Sequence, residues 1–174
     1  MGVISYRDGG PADAALMARL GRETFTGTFG HLYAPENLAA FLTNHSDENW
    51  RCELENPAYA VRIAEADGEA AGFAKVGPPS LPASLPFKVE GVAAELKQLY
   101  VLAPWHGAGV AQELMAWVVA EARRRGAAEL YLSVFVDNQR ARRFYERHGF
   151  EAVGSYAFMV GTHADEDVIM RLKL

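Results

Sequence analysis

Apolar and polar positions recur along the chain in two distinct patterns. Apolar residues spaced three or four apart are typical of amphipathic helices, and alternation of apolar and polar residues is typical of half-buried strands. The helical pattern, with its capping residues, covers 12–29, 35–42, 46–54, 109–125 and 138–148. Strand composition covers 3–6, 59–65, 70–76, a stretch that begins at Glu95, 129–136, 152–160 and 167–174.

Turn residues separate these elements and set their pairing. Asp67-Gly68 predicts a hairpin, four prolines over 77–91 predict a long loop, and 161–166 reads as a polar turn. Two successive strand–helix units, 95–125 and 129–148, predict a parallel pair of strands, while the hairpins predict antiparallel edges. The pattern therefore indicates an α/β fold in which a mixed sheet has helices on both faces.

Size and charge narrow the function classes. The chain has 174 residues, half of them apolar, which predicts a single domain over 1–174 that folds by itself. Its formal net charge of −5 argues against a non-specific nucleic-acid binder, because such proteins need a basic surface. Cationic or amine-bearing substrates are the better electrostatic match.

Cysteine and hydropathy patterns bear on location. Cys52 is the only cysteine, so no internal disulfide can form, and it reads as a bystander thiol. The chain lacks an apolar run of signal-peptide length and a stretch of about 20 apolar residues, so we expect a cytoplasmic protein without a membrane partner. The five histidines have no ligand spacing, so no metal site is predicted.

The chemistry-bearing stretch is the junction after the strand that begins at Glu95. It reads His106-Gly107-Ala108-Gly109-Val110-Ala111 and leads into a predicted helix. Backbone N–H groups at a helix start favour anions, and glycines allow a phosphate to approach closely. A glycine-eased turn without a ligand is the alternative interpretation, because a G-x-G pattern alone is common.

A second motif supports the phosphate interpretation. It reads Asn138-x-x-Ala141-x-x-Phe144-Tyr145-x-x-x-Gly149-Phe150. Together the two motifs resemble the GCN5-related N-acetyltransferases (the GNAT family), whose acetyl-CoA turn follows Gln/Arg-x-x-Gly-x-Gly/Ala. Gly109 and Ala111 fill its two small positions, and His106 stands where that family has Gln or Arg.

The resemblance covers essentially the whole chain and implies the fold, the reaction and the cosubstrate. The implied fold is a largely antiparallel, twisted sheet of seven strands with a central parallel pair. The implied reaction moves the acetyl group of acetyl-CoA to a primary amine by direct attack in a ternary complex. The implied coenzyme-binding residues are Leu99, Tyr100, Val101, His106, Gly107, Ala108, Gly109, Val110, Ala111, Gln112, Asn138 and Tyr145.

Two residues are candidates for proton transfer. Tyr145 matches the family position that protonates the departing thiolate, although a buried tyrosine with a satisfied hydroxyl is the structural alternative. Glu95 lies where some members carry a catalytic glutamate, and simple alternation places it on the same strand face as Leu99 and Val101. A solvent-exposed strand-start glutamate is its alternative. Asn138 has an equally natural role as a helix N-cap.

The acceptor amine is less constrained. Scattered residues resemble the bacterial spermine/spermidine N-acetyltransferase branch, namely Glu23-Thr24-Phe25, Phe29, Pro35-Glu36-Asn37 and Asp167-Val168-Ile169-Met170. They imply a polyamine, with a protein or peptide amine and a non-catalytic acyl-CoA-binding module as alternatives. Glu36, Asp47 and Glu48 are candidate attractors of a cationic amine or simply helix-start charges. The resemblance also suggests a homodimer.

Overall fold

The computed structural model of the protein describes residues 2–82, 85, 87–89 and 91–174. Within these residues, none of the helices is long and apolar enough to cross a bilayer. The α-helices there are α1 (Ala14–Phe29), α2 (Pro35–Leu42), α3 (Asp47–Glu55), α4 (Val110–Arg124) and α5 (Gln139–Arg147). The strands are β1 (Ile4–Asp8), β2 (Ala60–Ala66), β3 (Glu69–Gly77), β4 (Ala93–Val101), β5 (Glu129–Phe135), β6 (Glu151–Val160) and β7 (His163–Lys173).

The seven strands form one sheet in the order β1-β2-β3-β4-β5-β7-β6. β4 and β5 pair in parallel, and the other neighbouring strands pair antiparallel. The predicted mixed sheet with a central parallel pair is therefore confirmed. The hairpin between β2 and β3 turns at Asp67 and Gly68, both at positive φ, as the Asp-Gly dipeptide predicts.

The helices cover both faces of the sheet, as predicted. Adjacent residues of β2, Ile63 and Ala64, belong to two different hydrophobic clusters, and so do Phe73 and Ala74 of β3. Successive side chains of a strand point to opposite faces, so the two clusters lie on opposite sides of the sheet. One cluster contains residues of α1 and α3, and the other contains residues of α4 and α5.

One loop predicted from the sequence is partly wrong, and another lies partly outside the described residues. The turn predicted over 161–166 is wrong in its second half, because β7 already begins at His163 and Ala164 pairs with Met159 of β6. Its polar residues alternate along a strand, which a composition-based reading takes for a turn. The proline-rich loop predicted over 77–91 contains residues 83, 84, 86 and 90, which lie outside the described residues.

A β-bulge interrupts β4. Lys75 of β3 pairs with Gln98, whereas the next residue, Val76, pairs with Leu96, so Lys97 is the extra residue. A bulge residue shifts the in–out alternation of the strand by one position. Leu96 and Leu99 therefore both pack in the cluster on the α4–α5 face, although they lie three residues apart.

The turn before α4 depends on two glycines with positive φ. Gly107 has φ 83° and Gly109 has φ 84°, and Gly109 is the N-cap of α4 without any side-chain cap. The left-handed conformation is costly for residues with a Cβ. A Cβ at either position would meet no atom within 4 Å, so backbone conformation, not crowding, selects glycine here.

Leu130→Ala should lower the free energy of unfolding by about 2–5 kcal/mol, because Leu130 is fully buried where β5 pairs with β4. Chemical denaturation followed by circular dichroism measures this loss. The matched control, Leu32→Ala, removes the same atoms from an exposed leucine and should change stability by about 0.5 kcal/mol or less. Equal effects of the two substitutions would contradict the assigned core.

Gly109→Ala should destabilise the protein by about 1 kcal/mol, because alanine at positive φ is strained. The matched control is Gly27→Ala in α1, where a Cβ also meets no atom within 4 Å. An ordinary helical glycine loses conformational entropy on folding, so this control should stabilise the protein by about 0.5–1 kcal/mol. Denaturation midpoints of the two variants should therefore move in opposite directions, and a shared direction would refute the conformational argument.

Candidate active site

β4 and β5 part soon after they meet. Their parallel pairing covers three residue pairs, from Ala93↔Glu129 to Glu95↔Tyr131. Beyond these pairs, β4 follows β3 and β5 follows β7. In the described chain, the facing edges over 96–101 and 132–135 consequently lack a strand partner, and such edges offer backbone groups to another extended chain.

A cavity of about 950 Å³ opens where the strands part. Both unpaired edges line it, and it reaches Phe25 of α1 on one face of the sheet and Tyr145 of α5 on the other. The split therefore connects the two faces. Two reactants can enter from opposite sides and meet between the strands.

The predicted coenzyme-binding residues fall into two groups. Gly107, Ala108, Gly109, Val110 and Ala111 form the turn and first residues of α4, at positions that do not line the cavity. The predicted residues that line the cavity are Leu99, Tyr100, Val101, His106, Gln112, Asn138 and Tyr145.

His106 bridges two elements at the mouth of the turn. Its Nε2 lies 2.8 Å from the carbonyl oxygen of Val101, and its Nδ1 lies 3.1 Å from an Nη1 of Arg140 on α5. Arginine can only donate, so Nδ1 accepts and the Nε2–H donates to Val101. His106 thus holds a guanidinium beside the turn where the family pattern has Gln or Arg.

Tyr145 lies on the α4–α5 face of the sheet and reaches the cavity from there. Its side chain packs in the α4–α5 cluster and is 9% exposed, yet it lines the cavity. Burial raises the pKa of Tyr145 to about 12. The hydroxyl therefore keeps its proton at neutral pH and is available as a donor. Burial, the Tyr145 hydroxyl and the Asp167 carboxylate together raise the pKa of Tyr100.

Asn138 caps α5. Its Oδ1 accepts a hydrogen bond of 3.2 Å from the backbone N–H of Ala141. The N-cap role offered by the sequence is therefore confirmed. Asn138 also lines the cavity, so its side-chain amide remains a candidate ligand for the second role.

Glu95 is buried but does not line the cavity. Its Oε2 accepts hydrogen bonds of 2.7 Å from the backbone N–H of Ser80 and 2.8 Å from Nζ of Lys97. The prediction that it shares a face with Leu99 and Val101 is wrong, because the bulge at Lys97 shifts the alternation between them. Glu95 thus forms a neutral ion pair on the other face.

Two buried carboxylates that are not among the predicted site residues line the cavity. Asp165 and Asp167 occupy β7 at 8% and 7% exposure. The phenol of Tyr33 donates a hydrogen bond to Asp165, and Nε2 of His163 lies 3.1 Å from the same carboxylate. Burial raises the pKa of Asp167 to about 6, the charge of Asp165 adds to the rise, and a hydrogen bond from Ser133 opposes it.

A signal for these residues exists in the sequence. Asp165 and Asp167 alternate with exposed residues immediately before the apolar run Val168-Ile169-Met170. Aspartates in phase with the buried side of a strand need a partner or a function. The turn predicted over 161–166 hides this phase for Asp165, whereas Asp167 begins the strand predicted over 167–174.

The acidic residues at helix starts that are candidate attractors of the amine lie outside the cavity. Glu36, Asp47 and Glu48 are exposed at the first turns of α2 and α3 and do not line the cavity. The helix-start alternative is therefore the better description of them. The negative wall of the cavity comes from β7 instead.

The other end of the cavity carries a compensated pair. Lys75 donates to Glu53, and its ammonium lies 4.5 Å from the ring centroid of Trp50. The indole N–H of Trp50 lies 3.2 Å from Nδ1 of His45. Burial, assisted by the charge of Lys75, lowers the pKa of His45 to about 4. This end is polar but carries no large net charge.

Comparison with known proteins agrees with this geometry. The family model described as "Acetyltransferase (GNAT) family" matches residues 22–150. An uncharacterized N-acetyltransferase of Mycobacterium bovis is 33% identical over 159 residues, which cover 91% of this chain and 96% of that protein. An aminoalkylphosphonate N-acetyltransferase of Salmonella typhimurium is 30% identical over 104 residues, which cover 60% of this chain and 64% of that protein.

The fold is also shared with solved structures. A PaiA N-acetyltransferase from Thermoplasma acidophilum, crystallised with coenzyme A, has a TM-score of 0.76 at 20% identity, with 99% of each chain covered. That likeness concerns the fold, while the family match rests on the sequence. The chain therefore belongs to the GNAT family of acetyltransferases and is an acetyl-CoA-dependent N-acetyltransferase.

Proposed function

We propose that this protein acetylates a primary amine of a small polycation, such as spermidine or spermine, by direct attack in a ternary complex. The observation that carries the proposal is the cavity between β4 and β5, which joins a carboxylate-lined wall on one sheet face to Tyr145 on the other. Acetyl-CoA supplies the activated acetyl group. The residues of this chain bind, orient and exchange protons.

The turn before α4 fits a coenzyme diphosphate. The first N–H groups of an α-helix lack acceptors within the helix, and those of Val110, Ala111 and Gln112 follow an N-cap that has no side chain. The positive ends of these groups favour an anion. Arg140, held by His106, adds a cation beside the turn.

The unpaired edge of β4 fits the pantetheine arm. Leu99, Tyr100 and Val101 have an antiparallel partner in β3 on one side only. An extended amide chain can bind the other edge by main-chain hydrogen bonds. An N–H of this edge would also stabilise negative charge that develops on the acetyl oxygen.

The thiol side of the reaction is assigned to Tyr145. A thiolate leaving group needs a proton, and a buried phenol that stays protonated at neutral pH can supply one. Its burial among apolar residues also keeps water away from the sulfur. We therefore propose Tyr145 as the general acid.

The amine side is assigned to the wall of β7 and α1. Asp165 and Asp167 give this wall a negative potential, which attracts an ammonium group. Aromatic rings surround it and favour cations through their faces. These rings belong to Phe25, Phe29, Tyr33, Phe41 and Phe158.

Spermidine should be acetylated with a kcat/KM about tenfold or more above that of an N-terminally blocked peptide with a single lysine, because that peptide lacks a second ammonium for the carboxylate wall. Release of free thiol from acetyl-CoA, followed colorimetrically, measures this. 2-Aminoethylphosphonate serves as an anionic amine of similar reach, in view of the Salmonella relative. Preference for the peptide or the phosphonate would exclude the polyamine. If none of these amines causes thiol release, the result would favour a non-catalytic acyl-CoA-binding module.

Tyr145→Phe should lower kcat about 100-fold, because the variant has no hydroxyl to protonate the leaving thiolate. Steady-state kinetics with acetyl-CoA and spermidine measure kcat, and calorimetry with coenzyme A shows whether the site is intact. Tyr131→Phe is the matched control, since Tyr131 is fully buried outside the cavity and bonds Glu129. Equal kcat values for the wild type and Tyr145→Phe would remove the assignment.

A further inference from the structure

Asp167 lines the cavity from β7, the strand that pairs with β5. It pairs with Phe135 of β5, the strand that departs from β4. Its side chain shares a face with Ser133, because Ser133 pairs with Ile169 two residues further along β7. The Ser133 hydroxyl interacts with the Asp167 carboxylate and favours its ionised form, and Ser133 in turn accepts a hydrogen bond of 3.2 Å from the phenol of Tyr156.

The surroundings of Asp167 link it to the general acid. The charge of Asp167 raises the pKa of Tyr100, and electrostatic interaction with the hydroxyl of Tyr145 raises it too. These three side chains come from β7, β4 and α5, so they approach the split from both sheet faces. A reacting centre between them would have Tyr145 on the sulfur side and Asp167 on the nitrogen side.

Glu95 is less suited to receive a proton from an amine. Lys97 and Ser80 occupy its Oε2, and the cavity wall does not include its side chain. An incoming ammonium would therefore have to compete with the Lys97 ammonium for this oxygen. Asp167 has no lysine or arginine among its side-chain hydrogen-bond or ion-pair partners within the described chain.

We infer that Asp167 is the catalytic residue that accepts the proton of the acceptor ammonium, an assignment that rests on the proposed function. The ammonium gives one proton to Asp167, and its freed lone pair forms a bond to the acetyl carbon. The carbon–sulfur bond breaks, its electron pair leaves on sulfur, and Tyr145 gives sulfur a proton. The second proton lost by nitrogen restores Tyr145, and Asp167 returns its proton to solvent.

The energetics favour a buried acceptor of this kind. An alkylammonium has a pKa of about 10.4 in water, and an ordinary aspartate has a pKa of about 3.9. Proton transfer from the ammonium to such an aspartate is therefore strongly unfavourable. Burial lowers the pKa of the ammonium and has already raised that of Asp167 to about 6, so the two values approach each other. Among the described residues, the titratable groups that interact electrostatically with Asp167 are Tyr33, Tyr100, Tyr156 and Asp165.

The test compares pH profiles of kcat/KM for spermidine acetylation, which report the protonation states of the free enzyme. In the wild type, kcat/KM should fall as the pH drops through about 6, because protonated Asp167 cannot accept a proton. Asp167→Asn should lower kcat about 100-fold and abolish this acid limb. Ser133→Ala removes the hydrogen bond that favours the ionised carboxylate, so the acid limb should move to higher pH.

Two variants serve as comparisons. Glu166→Gln removes the same charge from the neighbouring, exposed position of β7 and should leave the profile unchanged. Glu95→Gln should keep the acid limb. Coenzyme A binding, measured by calorimetry, should persist in every variant and shows that each one is folded.

Several results would overturn the assignment of Asp167. These are an acid limb that persists in Asp167→Asn, a change in KM alone, or loss of the limb in Glu95→Gln instead. Should Asp167→Asn fail to fold, an unshifted limb in Ser133→Ala decides against the assignment. Absence of wild-type turnover with any amine would refute the proposed function, whereas turnover with an unaltered Asp167→Asn profile would refute this inference alone.

Discussion

The short pairing of β4 with β5 is the constraint on which the site depends. Three parallel residue pairs hold the two halves of the sheet together, and then each strand follows its other neighbour. Main-chain groups along the parted edges lose the partners that a continuous sheet would provide. A polar, extended ligand can restore those hydrogen bonds, so the feature that weakens the sheet is also the one that can bind a coenzyme arm.

The same split separates charges that would repel each other. The turn before α4 presents backbone N–H groups and Arg140, which suit an anionic diphosphate. Asp165 and Asp167 lie on β7, where they suit a cation. Had the carboxylates stood beside the turn, they would have opposed a phosphate by like-charge repulsion. Placing them across the split lets one cavity favour both an anion and a cation.

Much of this arrangement can be predicted from the sequence, because it depends on local rules. Helices, the Asp67-Gly68 hairpin and the order of strands and helices around Gly109 follow from periodicity and turn chemistry. The strand face predicted for Glu95 is wrong for a different reason. The bulge at Lys97 depends on the pairing of β4 with β3, and the residues around Lys97 do not indicate it. The burial of Asp167 cannot be read locally, because it depends on pairing with β5, a strand more than thirty residues away along the chain.

The charged groups at the two ends of the cavity differ in whether an oppositely charged side chain offsets the free-energy cost of burying them. Glu53 compensates Lys75, and Lys97 compensates Glu95, so the end near β3 is close to neutral. The raised pKa of Asp167 means that the folded state holds this proton more tightly than the unfolded chain does. The protonated carboxyl therefore contributes to stability at pH values below the pKa of a free aspartate. This contribution is lost as the pH rises through about 6. At neutral pH the ionised carboxylate opposes folding, and a bound ammonium would relieve that cost, which is the physical basis for proposing a cationic acceptor at this wall.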